Sequence, residues 1–452
     1  MENDYLIREK PMRALILFAL PIIVGNLFQQ TYTMADSAIV GRYVGEQALA
    51  AVGASYSLTN IFICVALGGG IGASVIVSRY FGARDYKKTI TAIFTSLISF
   101  LVLSVFLGLA GLSFGKGIMV ALHTPADALD MAVEYLNIYF MGLPFLFMYN
   151  VLSSMFNALG KSRIPLCFLI FSSLFNIVLD YILVTRFALG VAGVAWATLI
   201  AQGISAVLSF IVLLRELHRL DGERHQVFAK EEISPMFRIA LPSILQQSTV
   251  SIGMMLVQSV VNRFGTEALA GFSAAMRIEA ICVVPMAGVG NAISSFTAQN
   301  IGAKQEKRVT EGYRAANQLV AVFAVIILLA LEIFNRQIIA MFLGDDGTDI
   351  AMATGRSYLI FMGFFFCLIG FKMAVDGLLR GAGDMKMFTV ANLVNLLIRV
   401  AFAKMLAPHY GIAMVWYAVP VGWFVNWLIS FSQYRTGKWK NIRKTDTGKT
   451  GA

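Results

Sequence analysis

The sequence predicts an all-α polytopic membrane protein. Twelve transmembrane helices are expected, in two six-helix lobes related by a pseudo-two-fold axis along the membrane normal. Three observations predict it: composition, the spacing of apolar runs, and an internal repeat. Apolar residues fill 58% of the 452 positions and charged residues only 14%, against roughly 45–50% and 25% in soluble domains. Mean hydropathy is +0.72. Runs long enough to cross a bilayer, at roughly 20 residues each, recur from end to end. This excludes a soluble or peripheral protein.

Twelve spans are read at 14–39, 48–76, 88–115, 127–155, 163–184, 190–214, 237–262, 268–297, 311–335, 351–379, 387–407 and 411–433. Several exceed the minimum, as tilted or protruding helices would. Arg8, Lys10 and Arg13 precede a first run too long and too amide-rich for a cleaved leader, so no separate signal peptide is expected. Cys64, Cys167, Cys282 and Cys367 all fall in apolar runs and read as small buried side chains, too scattered for a metal or a disulfide framework.

Basic residues orient the array. With twelve spans, both termini and the even-to-odd connections share one side. That side carries 26 of the 36 Lys and Arg, the other carries 7, and Arg277, Lys372 and Arg399 lie within spans. The bias puts both termini in the cytoplasm and accounts for the net charge of +10 without nucleic acid. The basic tail reads as a solvated topological anchor.

The chain repeats itself. Ala19-Leu20-Pro21 recurs as Ala240-Leu241-Pro242, and Gly45 with Ala48-Leu49-Ala50 recurs as Gly265 with Ala268-Leu269-Ala270. Gly82-Ala83-Arg84 returns as Gly302-Ala303-Lys304, Gly160 as Gly383 and Gly190 as Gly411. These five landmarks stay collinear, which signals duplication. Six helices per copy make both copies enter from the same side, with a site expected at their interface. The expected lobes are 1–214 and 237–452, the second with the basic cytoplasmic tail, joined by a polar cytoplasmic linker at 215–236. The Gly82 and Gly302 turns read as structural, glycine permitting the turn. Gly68-Gly69-Gly70-Ile71-Gly72 lacks the Lys-Ser/Thr ending of a phosphate loop and reads as a close-packing face.

Two aspartates stand out. Asp36 and Asp180 each lie near the end of an apolar run, where a carboxylate is costly unless it faces a cavity and holds a proton, ion or cation. In the first span Asn26, Gln29, Gln30, Thr33, Asp36 and Ser37 fall within about a third of the helix circumference. Asn176 and Asp180 are four apart, as are Thr198 and Gln202. Carboxylate, amide and hydroxyl oxygens are the hard ligands that an alkali cation prefers, so Asp36, Asn176, Asp180 and Thr198 suit Na⁺ as well as H⁺. Two nearby carboxylates also disfavour joint ionisation. Pro21 and Pro242 interrupt the first helix of each repeat, as static kinks or as hinges.

The second repeat differs. Register sets Val257 opposite Asp36 and Arg399 near Asp180, while Gln246, Gln247, Ser251 and Gln258 keep amides and hydroxyls. Lys372 with Asp376, and Arg277 with Glu279, read as compensating structural pairs. Met254, Met255, Met276 and Met286 read as packing that also suits a promiscuous cavity for apolar cations.

This ordered set resembles the multidrug and toxic compound extrusion (MATE) transporters. Its carriers are the two six-helix repeats, Met34-Ala35-Asp36-Ser37 leading to Gly41-Arg42 and Ala48-Leu49-Ala50-Ala51-Val52-Gly53, Asn176-Ile177-Val178-Leu179-Asp180-Tyr181, and Gly193-Val194-Ala195-Trp196-Ala197-Thr198. The resemblance covers nearly the whole chain. It implies a V-shaped pair of lobes and export of cationic amphiphiles by antiport with H⁺ or Na⁺ through alternating access. It also implies a coupling-cation site at Asp36, Asn176, Asp180 and Thr198, with Asn150 and Asn157 in the same polar network. Asn26, Gln30, Thr33, Asn150, Asn157, Gln202, Gln247, Met254 and Gln258 are expected at the substrate cavity and Pro21 at a hinge. Asp376 does not match the family's acidic position in the tenth helix, so the resemblance favours coupling through the N-terminal lobe.

The expected protein is a monomer in the bacterial cytoplasmic (inner) membrane, without a cofactor beyond the coupling ion. Membrane lipid and small lipophilic cations are its partners. A flippase for lipid-linked saccharide precursors is the alternative, favoured by Arg277, Lys372 and Arg399 and opposed by the two aspartates. An intramembrane enzyme is the third class. No Ser/His, His-Glu or Asp/Asp motif with catalytic spacing occurs in the spans; His123, His218 and His225 lie in loops, and His409 ends a span.

Overall fold

The computed structural model describes residues 4–121, 124, 126–220, 226–343 and 348–440; His123, linker residues 221–225 and the basic tail from 441 fall outside them. The described residues form helices and short connections only. In order these are α1 (Tyr5–Arg8), α2 (Pro11–Ile39), α3 (Glu46–Gly82), α4 (Tyr86–Ala121), α5 (Ala126–Ala158), α6 (Arg163–Thr185), α7 (Gly190–His218) and α8 (Lys230–Val261). Then follow α9 (Thr266–Gly302), α10 (Glu306–Leu343), α11 (Asp349–Gly363), α12 (Phe366–Ala382), α13 (Met385–Tyr410) and α14 (Ala413–Arg435).

Among the described residues eleven helices are long and apolar enough to cross a membrane, or twelve if α11 with α12, bent by 54°, counts as one span. Where a single span is expected at 351–379, the structure has two helices. Gly363, a weak helix former, closes α11, and the chain turns there as Phe365 N–H donates to the Met362 carbonyl at 2.9 Å.

The repeat is written in the backbone. Left-handed φ values recur at Gly45 and Gly265 (112° and 93°), Arg84 and Lys304 (58° and 62°), and Gly160 and Gly383 (76° and 79°). The second pair corrects an expectation: Gly82 and Gly302 are still helical, and the left-handed turn falls on the basic residues. The following amide closes each cap, Asp85 N–H to the Tyr80 carbonyl at 3.1 Å and Gln305 N–H to the Asn300 carbonyl at 2.8 Å. This is a Schellman-type end, and it satisfies carbonyls that the helix leaves open.

Two compact units result, one of Val24–Ile244 and one of Met1–Ile23 with Leu245–Ala452. The division runs inside α2 and α8, two residues beyond Pro21 and Pro242, rather than in the linker. In the first unit α5 packs on α3, α4 and α7, and α6 on α7. In the second, α12 packs on α9, α10 and α14, and α13 on α14. Helices in lipid associate by close packing at small residues. The glycine run of α3 supplies it: a Cβ at Gly68 would lie 2.5 Å from Ile244 N, and one at Gly72 2.4 Å from Ala240 Cα.

Cysteine burial differs from expectation. Cys64 is buried, Cys282 and Cys367 are half-buried and Cys167 is exposed, all as free thiols. An apolar run in a membrane protein can face its surroundings as easily as its core, so hydropathy alone does not assign burial.

Candidate functional site

In the first unit, α2, α6 and α7 bring the four expected residues together. Asp180 and Asn176 are almost wholly buried on one face of α6, one turn apart. Asp36 comes from the last turns of α2 and its carboxyl reaches that of Asp180 within hydrogen-bonding range. The Asn176 amide lies 2.9 Å from Asp180 Oδ2 and 3.3 Å from Thr198 Oγ1 on α7. The orientation that satisfies both ends turns Nδ2 to Asp180 and Oδ1 to Thr198. Asn176 thereby donates to the carboxylate and orients it.

Each aspartate keeps one buried oxygen without a partner: Asp36 Oδ1 and Asp180 Oδ1. Two carboxylates in contact repel, and a proton or a small cation between them relieves the repulsion while satisfying the spare oxygens. The free atoms, Asp36 Oδ1 and Asp180 Oδ1, are carboxylate oxygens, which suits H⁺ or Na⁺. Thr198 and Gln202, with Tyr135 and Tyr139, line a small cavity of ≈ 10 Å³, about the room one water needs.

Sequence reasoning missed two phenols. The Tyr32 hydroxyl sits 2.6 Å from the Asn176 amide, and Tyr135 lies close enough to feel both aspartates. Tyr32 carried a signal, standing four residues before Asp36 on the same helical face. Tyr135 carried none, since a tyrosine in an apolar helix is usually packing.

The polar stripe of α2 divides. Thr33 and Ser37 spend their hydroxyls on their own helix, donating to the Gln29 and Thr33 carbonyls at 2.9 Å each. Asn26 and Gln30 are half-buried. On α5, Asn150 Nδ2 donates to the Leu146 carbonyl at 2.8 Å, and Asn157 Oδ1 is buried without a partner. Gln247, Met254, Gln258 and Pro21 all belong to the other unit, so none of them joins the aspartates within one unit.

In that second unit the Lys372–Asp376 pair forms at 3.1 Å, buried and closed by Asn392 and Ser430. The Arg277–Glu279 pair does not form. Residues two apart point to opposite sides of a helix: Arg277 is exposed and Glu279 is buried, bonded instead by the Tyr358 hydroxyl. Met254, Gln258, Arg277 and Arg399 line a separate cavity of ≈ 400 Å³.

A model of the MatE family matches residues 21–182 and 242–405, one stretch in each repeat. The chain is 30% identical over 434 residues to the probable multidrug resistance protein YpnP of Bacillus subtilis (strain 168), covering 96% of each. It is 25% identical over 406 residues to the multidrug export protein MepA of Staphylococcus aureus (strain MSSA476), covering 88% of this chain and 89% of that one. A solved outward-facing multidrug resistance MATE family transporter of the MOP superfamily shares the two-lobe fold, with a TM-score of 0.89 over 100% of this chain and 99% of that chain at 24% identity.

Proposed function

Since the chain belongs to the MatE family of membrane transporters, we propose that it exports lipophilic cations by antiport with H⁺ or Na⁺. The coupling site is the Asp36–Asp180 pair, with Asn176, Thr198 and Tyr32 holding its geometry. The single observation behind this reading is the contact of two intramembrane carboxyls that each leave an oxygen unsatisfied. Drug and coupling ion compete for that negative charge. Ion entry neutralises it and drives drug release; linkage makes the effect reciprocal. The protein works in a bacterial cytoplasmic membrane with both termini inside.

The test is uptake of ethidium into everted vesicles, driven separately by a pH gradient and a Na⁺ gradient. Asp36→Asn and Asp180→Asn each abolish gradient-driven uptake while the folded protein stays in the membrane. A well-folded double variant that still moves drug against a gradient would remove the assignment. Unchanged drug resistance in a deletion strain that accumulates a lipid-linked sugar precursor would favour the flippase reading.

A further inference from the structure

The ≈ 400 Å³ cavity of the second unit lies where the repeat would place a second copy of the aspartate site. The 221-residue offset of Pro21/Pro242 carries Asp36 onto Val257, and that of Gly190/Gly411 carries Thr198 onto Val419. The 223-residue offset of Gly160/Gly383 carries Tyr135 onto Tyr358, Asn176 onto Arg399 and Asp180 onto Ala403. The buried faces agree: Asn176, Asp180 and Val184 on α6 answer to Arg399, Ala403 and Ala407 on α13. Val257, Tyr358, Arg399 and Val419 all line the cavity. The duplicated position has therefore kept its phenol, lost both carboxylates and gained a guanidinium.

A second guanidinium, Arg277, joins Arg399 in the wall, and no carboxylate does. Arg399 is only 9% exposed and its Nε has no partner. Trp416 is 2% exposed and its indole N–H has no partner either. Both donors belong to lining residues. Glu279 is near enough to act on Arg399, yet no ion pair joins them and Tyr358 engages its carboxylate. A buried guanidinium with no ion pair and a free Nε donor is costly in a membrane and favours an anion. Phe272, Trp416 and Met276 supply apolar and aromatic wall around the donors. The volume suits a drug-sized body.

We propose that this cavity binds the oxyanion headgroup of an acidic amphiphile, with Arg399 and Arg277 gripping a carboxylate, sulfonate or phosphate and the aromatic wall holding its apolar body. The protein then carries two sites of opposite polarity in its two repeats. This goes beyond cation export and stands independently of it.

The test is equilibrium binding of radiolabelled 2-naphthoate, with neutral 2-naphthamide as competitor, to the full-length protein in phosphatidylcholine nanodiscs. Saturable one-site binding is expected, with the amide weaker by at least about tenfold and Arg399→Gln and Arg277→Gln each weakening the acid by a similar factor. Arg399→Lys recovers part of the loss. The Asp36→Asn/Asp180→Asn variant retains binding. Equal affinity for acid and amide, absence of saturable binding, indifference to folded arginine variants, or loss in the aspartate variant would overturn the proposal. Should Arg399→Gln fail to fold, Arg277→Gln, altered at an exposed side chain, carries the test alone. Phosphatidylglycerol in the nanodisc separates the sources: competition identifies a lipid headgroup as occupant, and indifference identifies a free organic acid.

Discussion

Asp376 and Asp36 are both intramembrane carboxylates, and their surroundings give them different work. Asp376 accepts from Lys372 at 3.1 Å and from the Ser430 hydroxyl at 2.7 Å, and Asn392 bridges to the same lysine at 3.0 Å. Every strong donor there is spoken for, whereas Asp36 and Asp180 each keep an open oxygen. Asp376→Asn leaves the Lys372 ammonium buried without its counter-charge, at a cost of about 3–5 kcal/mol. We expect a lowered unfolding midpoint, with the surviving protein still driving export against a gradient. Lys372→Met with Asp376→Leu should restore much of the stability. A fully stable Asp376→Asn protein that fails to couple would move Asp376 into the transport machinery. The aspartates were legible in the sequence because charge in an apolar run is rare. Tyr135 was not, because phenols are common in such runs. Arg277 and Glu279 misled because nearness along the chain is not nearness on a helix.

At the scale of the helix, two prolines mark where the chain passes from one unit to the other. Pro21 and Pro242 each lack an amide hydrogen, and each stands two residues before the crossing point. A missing backbone bond softens a helix against bending. Pro21→Ala and Pro242→Ala should therefore slow ethidium export while leaving the amount of inserted protein unchanged. Wild-type turnover in both would assign the prolines to static shape. The α3 glycines make the opposite prediction, one of rigidity. Gly72→Ala forces a methyl against the Ala240 backbone and should cost about 1–3 kcal/mol of stability. Helices, repeat and glycine face were legible because hydropathy and residue size write them directly. The break in the tenth span was not, because Gly363 lies in an unbroken apolar run and only tertiary packing decides whether a lone glycine bends a helix.

At the scale of the whole molecule, the distribution of charge predicts the orientation in the membrane. If the bent α11–α12 pair counts as one crossing, each repeat contains an even number of crossings and the two enter the membrane from the same side. If that pair were a re-entrant loop, the C-terminus would lie outside and the arithmetic of basic residues would fail. The expected asymmetry of 26 Lys and Arg against 7 holds only when the pair crosses. Labelling can decide the matter in a background lacking Cys64, Cys167, Cys282 and Cys367. Exposed positions on the predicted inner face are Lys87 and Lys438, and on the outer face Arg186 and Arg263. A membrane-impermeant maleimide applied to intact cells should label Arg186→Cys and Arg263→Cys and spare Lys87→Cys and Lys438→Cys until the membrane is opened. External labelling of Lys438→Cys alone would show that α11–α12 turns back. External labelling of both inner-face positions would invert the whole protein. If Asp36 and Asp180 couple export as proposed, at the ends of spans expected to begin inside, inversion would also reverse the direction of the gradient they sense.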